Sequence, residues 1–176
     1  YSDIGLMTLA FIIETVSGQR LDEFLEERVW DRLGMRDTGF RPARALRNRI
    51  APTEVDTLFR NTHVHGVVHD ENAYAIGGVA GHAGLFSTTE DLAVLAQTLL
   101  DGGRVAGCEP PGSGNSERIC APGVAGPVRL VSEETEQAFT RRFDSESFRA
   151  LGWDTPDDRS SAGDYFPPFA FGHTGF

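Results

Sequence analysis

Five side chains of types that bind metal ions lie close together near the middle of the chain. They are His63, His65, His69, Asp70 and His82. Imidazole nitrogens and carboxylate oxygens are zinc ligands, and a His-x-His pair followed by further His or Asp can supply several of them. The spacing does not match the helical His-Glu-x-x-His pattern of zinc hydrolases. A zinc-binding hydrolase or metal-binding module is one hypothesis, and hydrogen-bonded histidines without a metal are the simpler interpretation.

Two short motifs at opposite ends of the sequence suggest a different chemistry. Tyr1-Ser2-Asp3 opens the chain and His173-Thr174-Gly175 stands near its end. With the stretches 68–73, 77–87 and 151–154 between them, they resemble the serine β-lactamase and penicillin-binding-protein superfamily, in its branch of class C-like β-lactamases, esterases and DD-peptidases. The corresponding family motifs are Tyr-x-Asn and Lys-Thr-Gly, so this sequence has Asp in place of Asn and His in place of Lys.

The resemblance implies a serine hydrolase that works through an acyl-enzyme on an ester or amide. Tyr1 would carry the proton from the attacking serine and later to the leaving group. Asp3 stands where an Asn usually hydrogen-bonds a lysine, and a carboxylate there would raise the pKa of that lysine. The tyrosine motif thus implies a catalytic Tyr1 with Asp3 in support.

The resemblance also assigns roles to the last residues of the chain. His173 and Thr174 would face the carboxylate or leaving group of the substrate. Gly175 would let the substrate approach the backbone, and the amide N–H of Phe176 would be one of two oxyanion donors. His173 is expected to be a polar or cationic anchor and not the general base.

The first motif of the superfamily, Ser-x-x-Lys, cannot occur in this sequence. All 16 basic residues are arginines. In the family that motif precedes the tyrosine motif, so the 176 residues are expected to be an internal fragment that is inactive alone. An inactive binding module of the same fold is the alternative, and a Ser-x-x-Lys upstream of Tyr1 would distinguish the two.

Composition limits the partners of the chain. With 26 acidic and 16 basic residues the net charge is −10, which leaves no basic surface for nucleic acid. No apolar run approaches the roughly 20 residues that a membrane helix requires. The resemblance implies no metal, no organic cofactor and a small ester, amide or peptide substrate. It leaves the location open while favouring a periplasmic or extracellular one. His173 in place of the Lys of Lys-Thr-Gly favours a peptide or ester substrate over a β-lactam.

Hydrophobic periodicity and capping residues predict four helices. The first is apolar on nearly every side and so is expected to be buried, and the second is amphipathic. The third follows a capping pair formed by Thr88 and Asp91, and the fourth begins after Ser132. The predicted spans are 4–16, 21–33, 88–99 and 132–142.

The fold expected from the resemblance is α/β of the α+β type. It has an antiparallel sheet flanked by helices and a mainly helical subdomain, with only part of that fold present in a partial domain over 1–176. Short apolar runs near 151–153 and 169–171 predict strands. A loop insertion is expected at 104–128, where Cys108 and Cys120 can pair in an oxidising compartment or stay free in a reducing one.

Overall fold

The computed structural model describes residues 2–105, 124, 126–157 and 166–175. The chain divides into two compact units. The first comprises Tyr1–Leu95 and Ala106–Val128, and the second comprises Ala96–Val105 and Arg129–Phe176. Tyr1, Phe176, both cysteines and most of the expected insertion lie outside the described residues.

The first predicted helix is α1, Asp3–Ser17. It begins where Ser2 Oγ accepts a hydrogen bond from the Gly5 amide, and it ends at Gly18, whose φ of 69° is left-handed. The expectation that this helix is buried is wrong for the described residues, because Ala10 is its one buried residue and Val16 is 83% exposed. The described residues therefore leave much of the apolar surface of α1 uncovered, including Ile4, Phe11 and Ile12.

The second predicted helix is interrupted. It consists of α2, Leu21–Leu25, a π-helical turn at Glu26–Trp30, and α3, Asp31–Leu33. The amide of Asp31 donates to the carbonyl of Glu26, five residues earlier, as a π turn requires. Trp30 and Leu33 are buried, and the Trp30 ring lies 5.9 Å from the ring of Phe40.

The rest of the first unit is built from short elements. Strand β1, Gly39–Phe40, pairs antiparallel with β4, Leu85–Phe86, and β2, Val55–Asp56, pairs antiparallel with β3, Thr62–His63. A 3₁₀ helix spans Arg44–Arg49 and helix α4 spans Glu71–Ala75. Because α4 is only 5 residues long, it shows no clear periodicity in the sequence.

The third predicted helix, α5, spans Thr89–Leu100, and the fourth, α6, spans Glu133–Thr140. Thr88 and Ser132 each accept a hydrogen bond from the first helical turn, as the capping patterns predict. Strand β5, Arg104–Val105, lies beside β6, Val128–Arg129. Helices with small antiparallel pairings confirm the α+β type of fold.

The strands predicted near 151–153 and 169–171 are wrong. The structure has single bridges in their place, from Arg149 to Asp154 and from Asp154 to Gly172. Gly152 has a φ of 84°, outside the extended range, so the first apolar run turns back on itself. Among the described residues, Asp154 thereby has one bridge to Arg149 and another to Gly172.

Candidate active site

In the second unit the bridges place three charged or polar side chains together. Asp154 exchanges two backbone hydrogen bonds with Gly172, at 2.7 and 3.0 Å. Arg149 Nη1 lies 2.6 Å from Asp154 Oδ1 and 3.5 Å from His173 Nε2. We refer to Arg149, Asp154 and His173 as the Arg149 cluster. Thus the histidine predicted to meet the substrate is next to a guanidinium that the sequence analysis did not single out.

A cavity of about 260 Å³ adjoins the Arg149 cluster. His173 and Thr174, both exposed, form part of its wall together with Asp154. The rest of the lining is mostly apolar: Pro156, Phe166, Ala170, Phe171 and Gly172. A mostly apolar concavity with a few polar groups is the usual form of a small-molecule site.

In the first unit, Asp3 lies in the first turn of α1 near two other titratable groups. Its carboxylate and the side chains of Asp70 and His82 offer ligand atoms within 4.8 Å of one another. We refer to these three residues as the Asp3 cluster. His82 Nε2 is 2.9 Å from Asp70 Oδ1, and the His82 side chain is 2% exposed.

Asp70 has a structural task in the same place. Its Oδ1 also accepts a hydrogen bond from the Ala73 amide at 2.7 Å and so caps the N-terminus of α4. Partial burial raises the pKa of Asp70, but the hydrogen bonds from Ala73 and His82 outweigh that effect and leave the pKa below its ordinary value. The Asp70 carboxylate is therefore the anionic partner of a buried imidazole.

Gly81 packs directly against α1 beside the Asp3 cluster. A Cβ on Gly81 would lie 2.2 Å from the Leu6 carbonyl oxygen and 3.3 Å from the Cβ of Ala10. Only a residue without a side chain allows the segment before His82 to approach the helix this closely. The glycine-rich run thus sets the distance between His82 and the helix that carries Asp3.

A buried arginine, Arg60, holds the segment that precedes Asp70. Arg60 pairs with Asp56 at 2.8 Å, and the two side chains are 8% and 7% exposed. Its guanidinium donates to the carbonyls of Val68 and His69 and lies 5.0 Å from the centre of the Tyr74 ring. The hydrogen bond from Arg60, with the amide of Phe59, holds the pKa of Asp56 well below its ordinary value.

The structure does not gather the histidines of the zinc hypothesis. His63 is exposed on β3, His65 Nε2 lies 2.7 Å from the Ile50 carbonyl, and His69 Nε2 lies 2.7 Å from a carboxylate oxygen of Glu54. Among the described residues, the Asp3 cluster is the one group with metal-ligand spacing, and it contains a single histidine. Nothing in the comparisons below supports a zinc enzyme.

The predicted site residues do not all lie in the same described unit. Asp3 belongs to the first unit, whereas His173, Thr174 and Gly175 belong to the second. Tyr1 and Phe176 lie outside the described residues. Sequence reasoning missed Arg149 and Asp154, which stand 24 and 19 residues before His173 and reach it only through the bridges.

Residues 1–176 match the model of the Beta-lactamase family. The chain belongs to this family, which confirms the resemblance seen in the sequence. No helix in the part of the chain that the structure describes has the length and apolar character to cross a membrane.

Curated relatives agree with the family assignment. The chain is 36% identical over 192 residues to proteins named "Putative D-alanyl-D-alanine carboxypeptidase" from Escherichia coli O157:H7, Escherichia coli strain K12 and Salmonella newport. Each match covers 100% of this chain and 40% of the relative. The chain therefore spans less than half the length of the curated relatives that it matches.

A solved structure shows the same fold. The octameric penicillin-binding protein homologue from Pyrococcus abyssi matches with a TM-score of 0.50 and 17% sequence identity. The match covers 87% of this chain and 29% of that one. The likeness supports the predicted β-lactamase and transpeptidase type of fold, of which this chain is a part.

Proposed function

We propose that the chain is part of a DD-peptidase-like serine hydrolase that cleaves a peptide or ester through an acyl-enzyme. The observation that carries the proposal is the family match over the whole chain, with Tyr1-Ser2-Asp3 and His173-Thr174-Gly175 at its two ends. The names of the curated relatives favour a peptide substrate. The partial domain spans 1–176, with the insertion at 104–128.

The proposed reaction uses groups from this chain and from the rest of the protein. A serine and a lysine from a Ser-x-x-Lys motif outside these residues would be the nucleophile and its partner, because the chain has no lysine. The serine oxygen attacks the substrate carbonyl, and its proton passes through Tyr1 to the leaving amine as the C–N bond breaks. Water then attacks the acyl-enzyme, returning its proton by the same route.

The remaining predicted residues hold the substrate during this reaction. Asp3, at the start of α1, supports the lysine and the substrate. Thr174 and His173 lie on the wall of the cavity and face the end of the substrate that leaves. Gly175 allows a close approach, and the amide of Phe176 donates to the oxyanion. On this proposal the 176 residues alone do not turn over substrate.

Replacing Tyr1 with Phe in the complete protein tests the proposal. Loss of the phenol hydroxyl removes the proton carrier, so the acylation rate is expected to fall by about 10²–10⁴-fold. The measurement is single-turnover acylation by a peptide ester, followed by mass spectrometry of the intact protein.

Tyr74→Phe is the matched control, because the Tyr74 ring packs edge-on against Phe59, 6.3 Å away, in the first unit. The control should acylate at the rate of the unmodified protein. Equal rates for the two variants would remove Tyr1 from the mechanism. Failure of the complete unmodified protein to become acylated at a serine would overturn the hydrolase itself and favour an inactive binding module.

A further inference from the structure

One stretch of the first unit differs in charge from the rest of the chain. Residues 38–53 contain four of the 16 arginines and none of the 26 acidic residues. The 3₁₀ helix Arg44–Arg49 carries three of these arginines, and the fourth, Arg41, precedes it. The net negative charge of the whole chain therefore conceals a short basic segment.

Two of the four arginines are neutralised by carboxylates from outside this segment. Arg49 donates from Nη1 and Nη2 to the two oxygens of Asp37, at 2.9 and 3.0 Å. Arg41 pairs with Asp22 of α2. Because a carboxylate already occupies each guanidinium, Arg41 and Arg49 have little capacity for a further anion.

Arg44 and Arg47 have no such partner. Both residues are exposed, and within the part of the chain that the structure describes neither pairs with a carboxylate. In a 3₁₀ helix, residues three positions apart are eclipsed, at a rise of about 6 Å. The two side chains therefore leave the helix on the same side. Two like charges placed in this way repel each other, and an anion bound between them would remove that repulsion.

Arg47 is oriented by a neighbour that does not cancel its charge. Its Nε donates to His65 Nδ1 at 3.2 Å, so that ring nitrogen presents its lone pair. His65 Nε2 lies 2.7 Å from the carbonyl oxygen of Ile50, which can only accept, so Nε2 carries the proton. The ring is therefore neutral. Nη1 and Nη2 of Arg47 make no hydrogen bond to the described residues and stay available to a ligand.

The charge and the donors of this pair indicate the class of ligand. A carboxylate has one charge and two oxygens, which a single guanidinium satisfies, as Arg49 does for Asp37. A phosphate group has up to two charges and at least three acceptor oxygens in its monoester form, enough to bridge two guanidinium groups. Two arginines are too few for a nucleic acid, which requires a row of phosphate contacts.

We propose that Arg44 and Arg47 form a binding site for a phosphate group, carried either by a small soluble molecule or by a lipid headgroup. The phosphate oxygens accept hydrogen bonds from Nη1 and Nη2 of Arg47 and from the guanidinium of Arg44. Neither arginine belongs to the proposed catalytic site, so the inference does not depend on the proposed function.

The test offers the complete protein two probes. Inorganic phosphate is titrated by calorimetry, and phosphatidylcholine vesicles containing phosphatidylglycerol are sedimented with the protein. The unmodified protein should bind at least one probe, and the probe that it binds identifies the source of the phosphate. Arg47→Gln should weaken that binding by about 10-fold, because charge-assisted hydrogen bonds are lost at an exposed site. Arg47→Lys keeps the charge but loses the planar fork, so its affinity should be intermediate.

Arg44→Gln provides a second variant that breaks no hydrogen bond among the described residues, and it should weaken binding to a similar extent. Arg28→Gln is the matched control, because Arg28 is 58% exposed in the first unit and the change removes the same charge. It should leave binding unchanged.

Three results would overturn the assignment. The first is that the unmodified protein binds neither probe. The second is an equal loss of binding in Arg28→Gln and Arg47→Gln, since binding would then follow the net charge and not the pair. The third is competition by acetate as strong as that by phosphate, which would contradict the choice of a phosphate group.

Discussion

The Asp3 cluster and the Arg149 cluster each contain an imidazole near a carboxylate, yet the two histidines are used differently. His82 is buried and is bound directly to the carboxylate of Asp70. His173 is exposed and is separated from the carboxylate of Asp154 by a guanidinium. The buried imidazole is held inside the fold beside its carboxylate, whereas the exposed one borders a cavity.

The largest effect should come from breaking the packing under the Asp3 cluster. Gly81→Ala places a Cβ 2.2 Å from the backbone oxygen of Leu6, which neither side can relieve without moving α1. Overpacking of this kind costs about 3 kcal/mol of the free energy of unfolding. Chemical denaturation of the variant measures the loss.

Gly5→Ala is the control for that experiment. It lies in the same helix, and its Cβ would meet only Ser2, at 3.7 Å or more. Replacing a helical glycine with alanine should stabilise α1 by about 0.5 kcal/mol. A loss of stability in Gly5→Ala as large as in Gly81→Ala would show that α1 tolerates no change and that the close contact is not special.

An intermediate effect is expected from acid. The pKa of Asp70 is lower in the folded chain than in the unfolded chain, so its contribution is present above about pH 4 and is lost as the pH falls through the folded value. Asp70→Asn keeps an oxygen for the Ala73 amide but cannot titrate. The stability of Asp70→Asn should therefore vary less between pH 5 and pH 2, roughly the titration range of an aspartate.

Comparing Asp70→Ala with Asp70→Asn distinguishes the effect of the helix cap from that of the charge. Asp70→Ala removes both, so at neutral pH it should lose about 1 kcal/mol, the usual value of an N-cap, whereas Asp70→Asn should lose less. Equilibrium unfolding of all three proteins across the pH range is the measurement. Identical acid dependence in the unmodified chain and in Asp70→Asn would mean that this carboxylate does not carry the shift.

The smallest effect belongs to the wall of the cavity near the Arg149 cluster. Phe171 meets Trp153 edge to face, with ring centres 5.3 Å apart and an angle of 69° between the planes. Phe171→Leu removes the aromatic pair and should cost about 0.5–1 kcal/mol. Phe169→Leu, at a position that is 80% exposed, should cost almost nothing. Equal losses in the two thermal melts would show that the aromatic pair adds no stability.

Local signals made part of this structure predictable. Thr88 and Ser132 cap helices where the sequence places them, because a cap depends on residues only three positions apart. The family resemblance was also visible, since the two end motifs and the glycine-rich run between them keep their order.

Contacts between distant residues were not predictable in this way. Arg149 reaches His173 only because Asp154 bridges two segments, and no periodicity marks single bridges. The pairing of Asp70 with His82 likewise depends on a close approach by Gly81. Asp70 was a candidate zinc ligand in the sequence, and the structure shows a helix cap beside Asp3.

The π turn at Glu26–Trp30 has a consequence for aligning this chain with its relatives. A π turn holds about one residue more than an α turn, so it changes the phase of everything that follows by roughly 100°, the rotation of a single helical residue. Leu33, which is fully buried, lies in α3 directly after that turn. A one-residue gap opposite this turn would therefore mark a rotated helix face and not a shortened loop.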